Sequence, residues 1–444
     1  MQKSFIPLTL LLSFVVSQLC VAEVPPPNYD ESKVPEYVLP DPLTMQDGRK
    51  VETAEQWITE RRPELLRLFE ENVYGKATQF RTGNTAFKTR FESLASKEVY
   101  NGKGFQHQFQ IVWYQGDEPG EDAHRVDVLA YTPKSDTKVP AFIGLNFMGN
   151  HTVDADPDIR LPARIWDRLQ PIHTPGKESE RGEQSRRWPV ELLLNRGYAV
   201  VTAYYCDIEP DCNGGFRHGV RRFLYKEGEK QAPDEANTIA TWAWGLGEML
   251  DAIEHFQDKL GIDPTKVAVT GHSRLGKTAL WAGAIDPRFA MVISNDSGCG
   301  GAALIRRRFG APVQVLPVQF PHWCCDNLND RFGKPNPDVD SLPIDMHELI
   351  ALSVPRPVYV ASATEDLWAD PKGEFLSAFH ADPVYKLLGT DGIGGVTEPP
   401  NPDQSVGGTI RYHNRTGKHD MLEYDWKNYC DFADQALLTG TPGD

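Results

Sequence analysis

Basic residues are fewer than acidic residues in this sequence, and the imbalance limits the partners that the protein can have. The 444 residues include 46 Lys and Arg against 62 Asp and Glu, which gives a formal net charge of −16 at pH 7. Nucleic acids and anionic membrane surfaces are polyanions, and a strongly acidic surface repels both. We therefore expect neither a nucleic acid nor a membrane as partner, and the acidic excess alone indicates no particular substrate.

Metal-binding patterns are also absent from the sequence. No Cys-x-x-Cys pair occurs, and no His/Cys spacing suggests a zinc site. The segment DADPD, Asp154 to Asp158, resembles the start of a calcium loop but lacks the glycine and the glutamate that such a loop requires. Six cysteines lie after residue 22. Their disulfide pattern stays open, although Cys206 and Cys212 could close a short loop.

The N-terminus carries a short hydrophobic run. Lys3 is followed by apolar residues from Phe5 to Val16, and the letters CVA precede Glu23. This order is typical of a secretory signal, and the run is too short to favour a membrane span. The sequence therefore predicts a signal peptide over residues 1–22 and a secreted or periplasmic protein, with an uncleaved anchor as the alternative.

Short apolar runs alternate with helical patterns along the rest of the chain. Glu52 to Gly75 has apolar residues at helical spacing, and VPAFIGLN, Val139 to Asn146, is the continuous apolar run expected of a strand covered on both faces. Similar runs end just before Ser273, Asp296 and Asp366. This alternation predicts a mainly parallel sheet of about eight to nine strands with helices on both faces. We expect one catalytic domain over residues 23–444, with an N-terminal extension.

The segment GHSRLGKT, Gly271 to Thr278, fits two motifs of different chemistry. It matches G-x-x-x-x-G-K-[ST], the phosphate-binding loop, and it also resembles a nucleophile elbow with Ser273 at the apex. Both motifs lie between a strand and a helix, so local structure does not separate them. The standard elbow has a small residue two places after the serine, whereas Leu275 stands there and Gly276 follows.

The order of residues along the chain favours the elbow. Ser273 is followed by Asp296 and Asp366 and then by His419, which is the Ser-acid-His order of α/β-hydrolases. A serine hydroxyl is a weak nucleophile until a histidine removes its proton, and a carboxylate holds that histidine in the right tautomer. An exported protein also meets little ATP. We therefore interpret Ser273 as a nucleophile and His413, inside the last predicted strand, as structural.

Several segments together resemble carbohydrate esterase family 15, the glucuronoyl esterases. GHSRLGK resembles that family's G-C-S-R-x-G-K signature, and SNDSGCGGAAL, Ser294 to Leu304, is similar to its segment with the catalytic acid. Further similar segments are QFPHWCCDN from Gln319, EDLWADPKGEF from Glu365, RTGKHD from Arg415 and RRPELLRLFEENVYG from Arg61. The resemblance covers almost the whole mature chain and implies an α/β-hydrolase fold.

The resemblance also implies a role for each matching residue. Ser273 would be the nucleophile and His419 the general base, while Arg274 would stabilise the oxyanion. The family's usual acid falls on Asp296, and a second acid found in some bacterial members falls on Asp366. Because Asp296 is one methylene shorter than the glutamate typical of the family, we expect Asp366 to carry most of the role. Three residues would contact the uronic acid ring: Lys277, Gln319 and Trp368.

The implied reaction is hydrolysis of esters of (4-O-methyl-)glucuronic acid, as in lignin–glucuronoxylan linkages, through a Ser-His-Asp acyl-enzyme and with no metal or cofactor. Two alternatives stay open. One is an acetyl-xylan or other carbohydrate esterase on the same fold, and the other is a catalytically silent carbohydrate-binding relative. The substrate partner would be a polysaccharide or another uronate ester. No motif determines the oligomeric state, and we expect a monomer.

The sequence departs from the family pattern at two sites. His272 and Asp420 stand where fungal members have two bridged cysteines. Ala311 stands where many bacterial members have a glutamate after Phe-Gly, which removes one predicted contact to a sugar hydroxyl. Simpler interpretations also remain for single residues: Ser273 as a turn serine, Lys277 as a helix-surface lysine and Trp368 as a core residue.

Overall fold

The protein is described by a computed structural model over residues 24–77, 80, 86–168, 170–225 and 229–438. The predicted signal peptide, residues 1–22, lies outside these ranges and stays a prediction. None of the helices in the described ranges combines the length and the apolar character that a membrane crossing requires.

Ten strands of the described chain form one sheet. Their bounds are β1 Lys88–Val99, β2 Gly104–Tyr114, β3 His124–Pro133, β4 Val139–Asn146, β7 Ala199–Tyr204, β8 Ile262–His272, β9 Met291–Asn295, β10 Val358–Ala363, β11 Ser405–Gly407 and β12 Ile410–Arg415. Their spatial order is β1-β2-β3-β7-β4-β8-β9-β10-β12-β11. The strands from β7 to β12 in this order run parallel, whereas β1, β2, β3 and β11 pair antiparallel with their neighbours. A separate small hairpin pairs β5, Ile165–Trp166, with β6, His173–Thr174.

Helices alternate with these strands. In the described residues the α-helical segments are α1 Ala54–Gln56, α2 Arg62–Phe69, α3 Val190–Asn195, α4 Tyr205–Ile208, α5 Thr238–His255, α6 Gln257–Leu260, α7 Arg274–Ile285, α8 Val315–Gln319, α9 Asp326–Phe332, α10 Met346–Ala351, α11 Pro371–Leu387 and α12 Glu423–Ala433. The longest, α5, α7, α11 and α12, connect or follow the parallel strands, as expected of a doubly covered sheet.

The two faces of the sheet bury different apolar side chains. On β4, Phe142 and Ile143 point to opposite faces because side chains alternate along a strand. In the described chain Phe142 joins a core that contains Trp426 of α12, and Ile143 joins a core that contains Trp281 of α7. All 8 residues of β4 are buried, so the strand predicted from its continuous apolar run is confirmed.

The predicted entry helix is a run of helical turns from Ala54 to Tyr74. Thr53 and Gln56 form a capping box at its start, and Gly75, with φ 84°, ends it. Two π-helical turns, Trp57–Arg61 and Glu70–Tyr74, interrupt the α-helix. These wider turns rotate the buried face relative to an ideal helix, and Ile58, one of the apolar residues that recur at helical spacing in this segment, is 56% exposed.

The sheet is mainly parallel and covered on both faces, as predicted, but its strands outnumber the prediction. The two strands that the sequence pattern missed are β1 and β11. Every side chain of β1 is at least partly exposed, so its sequence lacks the alternation that marks a strand. The other, β11, has only 3 residues. Both lie at the edges of the sheet, where burial imposes no pattern.

Candidate active site

Ser273 stands at the turn between β8 and α7, with φ 57° and ψ −126°. A positive φ is strained for a residue with a side chain, and it is the conformation that exposes the serine of a nucleophile elbow. A Cβ on Gly271 would lie 1.9 Å from the carbonyl oxygen of Leu275, so this close approach requires glycine. The Ser273 amide donates to the carbonyl oxygen of Asn295 at 2.9 Å, which ties the elbow to the end of β9.

Gly276 stands one place after the position where a standard elbow has a small residue, and the structure gives a reason for this shift. A Cβ on Gly276 would lie 3.0 Å from Cβ of Ser297, whereas the Leu275 side chain packs in the core. The turn therefore accepts a large residue two places after Ser273. Lys277 differs from the lysine of a phosphate-binding loop, because it is buried and its amine donates to the carbonyl oxygen of Ser297. The local geometry favours the elbow over the phosphate loop.

All the predicted site residues line a single cavity of about 410 Å³, which we call the catalytic cavity. They are Ser273, Arg274, Lys277, Asp296, Gln319, Asp366, Trp368 and His419. Ser273, Asp296, Asp366 and His419 follow β8, β9, β10 and β12, which are neighbours in the sheet. The carboxyl ends of parallel strands meet at one edge, so residues far apart in sequence converge there.

His419 and Asp366 form a hydrogen-bonded pair in this cavity. His419 Nδ1 lies 2.5 Å from Oδ2 of Asp366, and the Asp366 side chain is only 5% exposed against 40% for His419. Because the carboxylate can only accept, Nδ1 carries the proton and Nε2 is left with its lone pair. This is the tautomer that a general base acting on Ser273 needs.

Asp296 has different surroundings. It follows β9 with φ 44°, its side chain is fully buried, and its Oδ2 accepts from the amide of Asp420 at 3.3 Å. Within the described chain its Oδ1 has no hydrogen-bond partner. Burial raises the pKa of Asp296 well above its usual range, and the nearby carboxylates of Glu374 and Asp366 raise it further. Carboxylate oxygens of Asp296 and Asp366 and a ring nitrogen of His419 lie within 4.8 Å of one another.

Arg274 is held by a residue that the sequence did not single out. Its guanidinium pairs with the buried Asp211 and lies 4.7 Å from the ring centroid of Trp323. Asp211 also accepts from three further donors: His322 Nε2 at 2.9 Å, Trp323 Nε1 at 2.6 Å and the Tyr205 hydroxyl at 2.9 Å. Burial alone would raise the pKa of Asp211, but the hydrogen bond from His322 and the charge of Arg274 lower it to about 2. An ionised Asp211 therefore anchors the Arg274 side chain at the cavity wall.

The three residues predicted to contact the sugar occupy different parts of the wall. Lys277 is buried, and burial lowers the pKa of its amine to about 8. Gln319 ends α8 with an exposed side chain. Trp368 is 42% exposed, so it is a wall residue of the cavity and not part of the core. An ammonium, an amide and an aromatic face thus border one space.

Comparisons with known proteins show to which family this chain belongs. A family model described as glucuronyl esterase of fungi matches residues 191–389. The chain is 46% identical over 420 residues to the carbohydrate esterase MZ0003 of an unknown prokaryotic organism, with 93% of each protein covered. The chain belongs to carbohydrate esterase family 15. A 4-O-methyl-glucuronoyl methylesterase of Schizophyllum commune is 27% identical over 390 residues, which are 85% of this chain and 82% of that protein.

Solved structures of family 15 proteins share the fold. A promiscuous family 15 esterase from a marine bacterial metagenome has a TM-score of 0.83 at 45% identity, covering 93% of this chain and 100% of its own. A glucuronoyl esterase from Solibacter usitatus also has a TM-score of 0.83, at 40% identity, covering 92% and 100%. The predicted α/β-hydrolase fold is confirmed. This family 15 protein is a carboxylic ester hydrolase, which argues against a catalytically silent relative.

His272 and Asp420 stand at the two positions where fungal family 15 members have bridged cysteines, and both make contacts there. The His272 ring lies 4.4 Å from the ring of His419, and burial lowers the pKa of His272 well below its usual range, so it packs as a neutral ring. Asp420 accepts from Arg187 at 2.6 Å and also from Arg186. The 6 cysteines of the described chain are unpaired, so the short disulfide that the spacing left open is not formed. An ion pair and a ring contact therefore hold the His419 segment.

A buried glutamate beneath the site was not predicted from the sequence of this family 15 esterase. Glu374 on α11 accepts from the amide of Gly298 at 2.9 Å and from the hydroxyls of Ser362 and Ser297 at 2.6 and 3.1 Å. Burial raises the pKa of Glu374 to about 7. The loop that follows Asp296 is thus fixed by a carboxyl group whose charge changes near neutral pH.

Glu374→Gln should flatten the pH dependence of stability. Between its usual pKa near 4.5 and about 7, folded Glu374 holds a proton that the unfolded chain has lost. Stability from this group is therefore full below pH 4.5 and is lost as the pH rises to about 7, by up to about 3 kcal/mol. Urea unfolding should show that the free energy of unfolding falls more between pH 5 and pH 8 in the wild type than in Glu374→Gln. Glu365→Gln, the same change at an exposed site, should leave the wild-type difference intact; equal losses in the wild type and Glu374→Gln would contradict the prediction.

Proposed function

We propose that this family 15 esterase hydrolyses esters of 4-O-methyl-glucuronic acid, as in lignin–glucuronoxylan linkages, through a serine acyl-enzyme. The observation that carries the proposal is the cavity shared by Ser273 and the hydrogen-bonded pair of His419 and Asp366. The relative from Schizophyllum commune, named 4-O-methyl-glucuronoyl methylesterase, supports a uronate ester as substrate.

In this mechanism the Ser273 hydroxyl attacks the ester carbonyl while Nε2 of His419 takes its proton. The tetrahedral intermediate then collapses, the bond from the acyl carbon to the alcohol oxygen breaks, and His419 returns the proton to that oxygen. Water attacks the acyl-enzyme with His419 again as base, which releases the uronic acid and restores the Ser273 hydroxyl. Asp366 keeps the proton on Nδ1, so Nε2 is the basic nitrogen at each step.

Recognition of this substrate rests on hydroxyls and not on an ion pair, because a uronic acid loses its carboxylate charge on esterification. Lys277 and Gln319 supply hydrogen-bond donors for ring hydroxyls. Trp368 supplies an apolar face for the carbon–hydrogen side of the sugar. Burial lowers the pKa of Lys277 to about 8, so at pH 7 its amine stays mostly charged and donates hydrogen bonds.

A comparison of ester types tests the proposal. The ratio kcat/KM should be measured for the methyl ester of 4-O-methyl-glucuronic acid and for an acetylated xylo-oligosaccharide. We expect the uronate ester to be preferred by at least about 10-fold, the effect of one hydrogen bond of about 1.5 kcal/mol. A preference for the acetyl ester would support the second candidate, an acetyl-xylan esterase. That candidate is favoured by Ala311 and by the similarity to a promiscuous esterase.

Arg274→Ala should lower kcat about 10²–10³-fold with little change in KM. The guanidinium lies at the cavity wall, where we expect it to meet the charge that develops on the carbonyl oxygen, and such a contact strengthens only in the transition state. The backbone amide of residue 274, the other expected donor, is kept in the alanine variant. Steady-state kinetics on the uronate ester measure the effect. Tyr205→Phe is the matched control, since it removes one donor from Asp211 and leaves Arg274 paired. A rise in KM at unchanged kcat would mean that Arg274 only binds substrate.

Ala311→Glu should increase the selectivity for glucuronate esters over galacturonate esters. With Ala311 in the cavity wall, we expect the wild type to accept the galacturonate ester more readily than members with a glutamate there. A charged hydrogen bond to a sugar hydroxyl contributes about 1.5–3 kcal/mol, so the glucuronate-to-galacturonate ratio of kcat/KM should rise about 10- to 100-fold. Ala311→Gln, similar in size but neutral, should give a smaller rise. Strict rejection of the galacturonate ester by the wild type would contradict the prediction.

A further inference from the structure

A polar cavity of about 470 Å³ shares no lining residue with the catalytic cavity in the part of the chain that the structure describes. Its volume is within the range of small-ligand sites. We call it the arginine cavity, because five arginines are among its described lining residues: Arg125, Arg160, Arg164, Arg217 and Arg222. Such a concentration of positive charge is unexpected in a chain with a formal net charge of −16.

Three of these arginines, Arg164, Arg217 and Arg222, form no ion pair with an acid within the described residues. Arg222 instead donates to the carbonyl oxygen of Asp122 at 2.6 Å and contacts Nδ1 of His124. The other two arginines are paired at 3.6 and 3.7 Å: Arg160 with Asp127 and Arg125 with Glu92. A guanidinium without an acidic partner can bind both oxygens of a carboxylate that comes from outside the protein.

The charges of these arginines act on one another and on the histidines of the lining. Burial lowers the pKa of His218, and the charge of Arg164 lowers it further. The same two causes, in the same order, lower the pKa of Arg222. Burial and then the charge of Arg222 lower the pKa of His124 to about 3, so this ring is neutral. The cavity therefore disfavours any further cation, and a bound anion would relieve the repulsion between its arginines.

The acids of the described lining do not cancel this positive charge. Asp127 is already paired with Arg160. Desolvation and the carboxylate of Asp127 raise the pKa of Asp207 well above its usual range, which disfavours the charged form of Asp207. Glu121 and Asp122 are exposed, so water and salt screen their charges. When it is protonated, Asp207 can donate a hydrogen bond to an oxygen of a bound anion.

Apolar side chains complete the lining of the arginine cavity. They are those of Leu161, Pro162 and Trp166, and the Trp166 ring lies 5.0 Å from the ring of His218. Apolar and aromatic groups pack against the carbon–hydrogen side of a sugar, whereas arginines bind its anionic group. This combination suits an acidic sugar better than it suits a neutral sugar or a small inorganic anion.

We propose that the arginine cavity binds the carboxylate of a free uronic acid. The inference rests on the proposed function, because hydrolysis of a uronate ester converts a neutral group into this anion. A polymer with uronate esters therefore carries free uronates wherever an ester has been cleaved. The two cavities have opposite preferences: the catalytic cavity takes the neutral ester, and the arginine cavity takes the charged acid.

Binding of sodium glucuronate, measured by calorimetry at an ionic strength of about 20 mM, tests the proposal. We expect the wild type to have a glucuronate site that is weakened at least about 10-fold in Arg164→Gln with Arg217→Gln, because each guanidinium makes a charged hydrogen bond. Both proteins keep the same catalytic cavity, so the difference reports the arginine cavity alone. Arg67→Gln with Arg90→Gln removes the same charge from exposed arginines outside the lining, and its affinity should stay within about twofold of the wild type.

Two further sugars identify the group that the cavity recognises. Glucuronamide has a neutral amide in place of the carboxylate, and it should bind the wild-type site at least about 10-fold more weakly than glucuronate. Glucose 6-sulfate carries the other common sugar oxyanion. Equal binding of glucuronate and glucuronamide would overturn the inference, and so would equal glucuronate binding in the wild type and in Arg164→Gln with Arg217→Gln. Tighter binding of glucose 6-sulfate than of glucuronate would assign the cavity to a sulfated sugar and overturn the carboxylate.

Kinetics separate this inference from the proposed function. Because the two cavities share no described lining residue, Arg164→Gln with Arg217→Gln should hydrolyse the methyl ester of 4-O-methyl-glucuronic acid with a kcat/KM within about twofold of the wild type. If the wild type hydrolyses no uronate ester, the proposed function fails, and glucuronate binding still decides the inference. Weaker binding in the double variant than in the wild type would then support the arginine cavity as a carboxylate site, and equal binding would overturn it.

Discussion

Ser273→Ala should reduce hydrolysis of a uronate ester by about 10⁴-fold or more. Residues that act as a unit in nucleophilic catalysis lose most of the rate when any one is removed, and the remainder comes from binding and oxyanion contacts. Ser273 has the strained φ of 57° at the end of β8, and it lines the cavity that also holds His419. Initial rates on the methyl ester of 4-O-methyl-glucuronic acid, with enzyme in excess for the variant, measure the loss.

Two controls separate chemistry from folding in this experiment. Thr278→Ala removes a hydroxyl from the next turn of α7, where it donates to the carbonyl oxygen of Arg274, and should leave turnover within a few-fold of wild type. His419→Ala should cost about as much as Ser273→Ala, and the double variant should lose little more, because the two act in one step. Near-normal turnover in Ser273→Ala, or tight ATP binding by the wild type, would contradict the elbow interpretation.

The parts of the fold and site that the sequence predicts are those governed by local patterns. β4 is recognisable because it is buried on both faces and so consists of a continuous apolar run. The candidate site follows from the same pattern, since polar residues directly after buried parallel strands converge at one sheet edge. The predicted positions of Ser273, Asp366 and His419 around one cavity are an example. The family resemblance supplied the residues without such a pattern, Lys277, Gln319 and Trp368.

Contacts between distant side chains leave no such pattern. Asp211 reaches Arg274 only because the segment after β7 folds against α7 and Trp323, and nothing in its neighbouring residues marks it. Glu374 lies in the first turn of α11, where a glutamate is commonly solvated, and only tertiary packing buries it. The sequence pattern missed the edge strand β1 for a different reason: none of its residues is fully buried, so burial imposes no alternation of apolar and polar residues on it.

Asp366→Asn should cost far more in kcat than Asp296→Asn. Replacing the carboxylate that orients a catalytic histidine by an amide lowers kcat about 10⁴-fold, because the amide favours the wrong tautomer. Asp366 is the carboxylate that lies 2.5 Å from Nδ1 of His419. Asp296 instead accepts a hydrogen bond from the amide of Asp420, and burial and neighbouring acids raise its pKa well above the usual range, which disfavours its charged form. An asparagine at this position can also accept from Asp420, so we expect a loss of only about 10-fold for Asp296→Asn, from weaker support of the His419 segment.

The double variant and the pH profile complete the assignment of the acid. Because Asp296 acts on His419 only through the segment that Asp366 also orients, Asp366→Asn with Asp296→Asn should lose little beyond Asp366→Asn alone. Asp366→Glu tests position, since it keeps the charge but moves the carboxylate by one methylene, and it should restore part of the activity lost in Asp366→Asn. The kcat of each variant on the uronate ester should be measured from pH 5 to pH 9, with the urea midpoint as a check on folding. A greater loss of kcat in Asp296→Asn than in Asp366→Asn would reverse the assignment and make Asp296 the acid that orients His419.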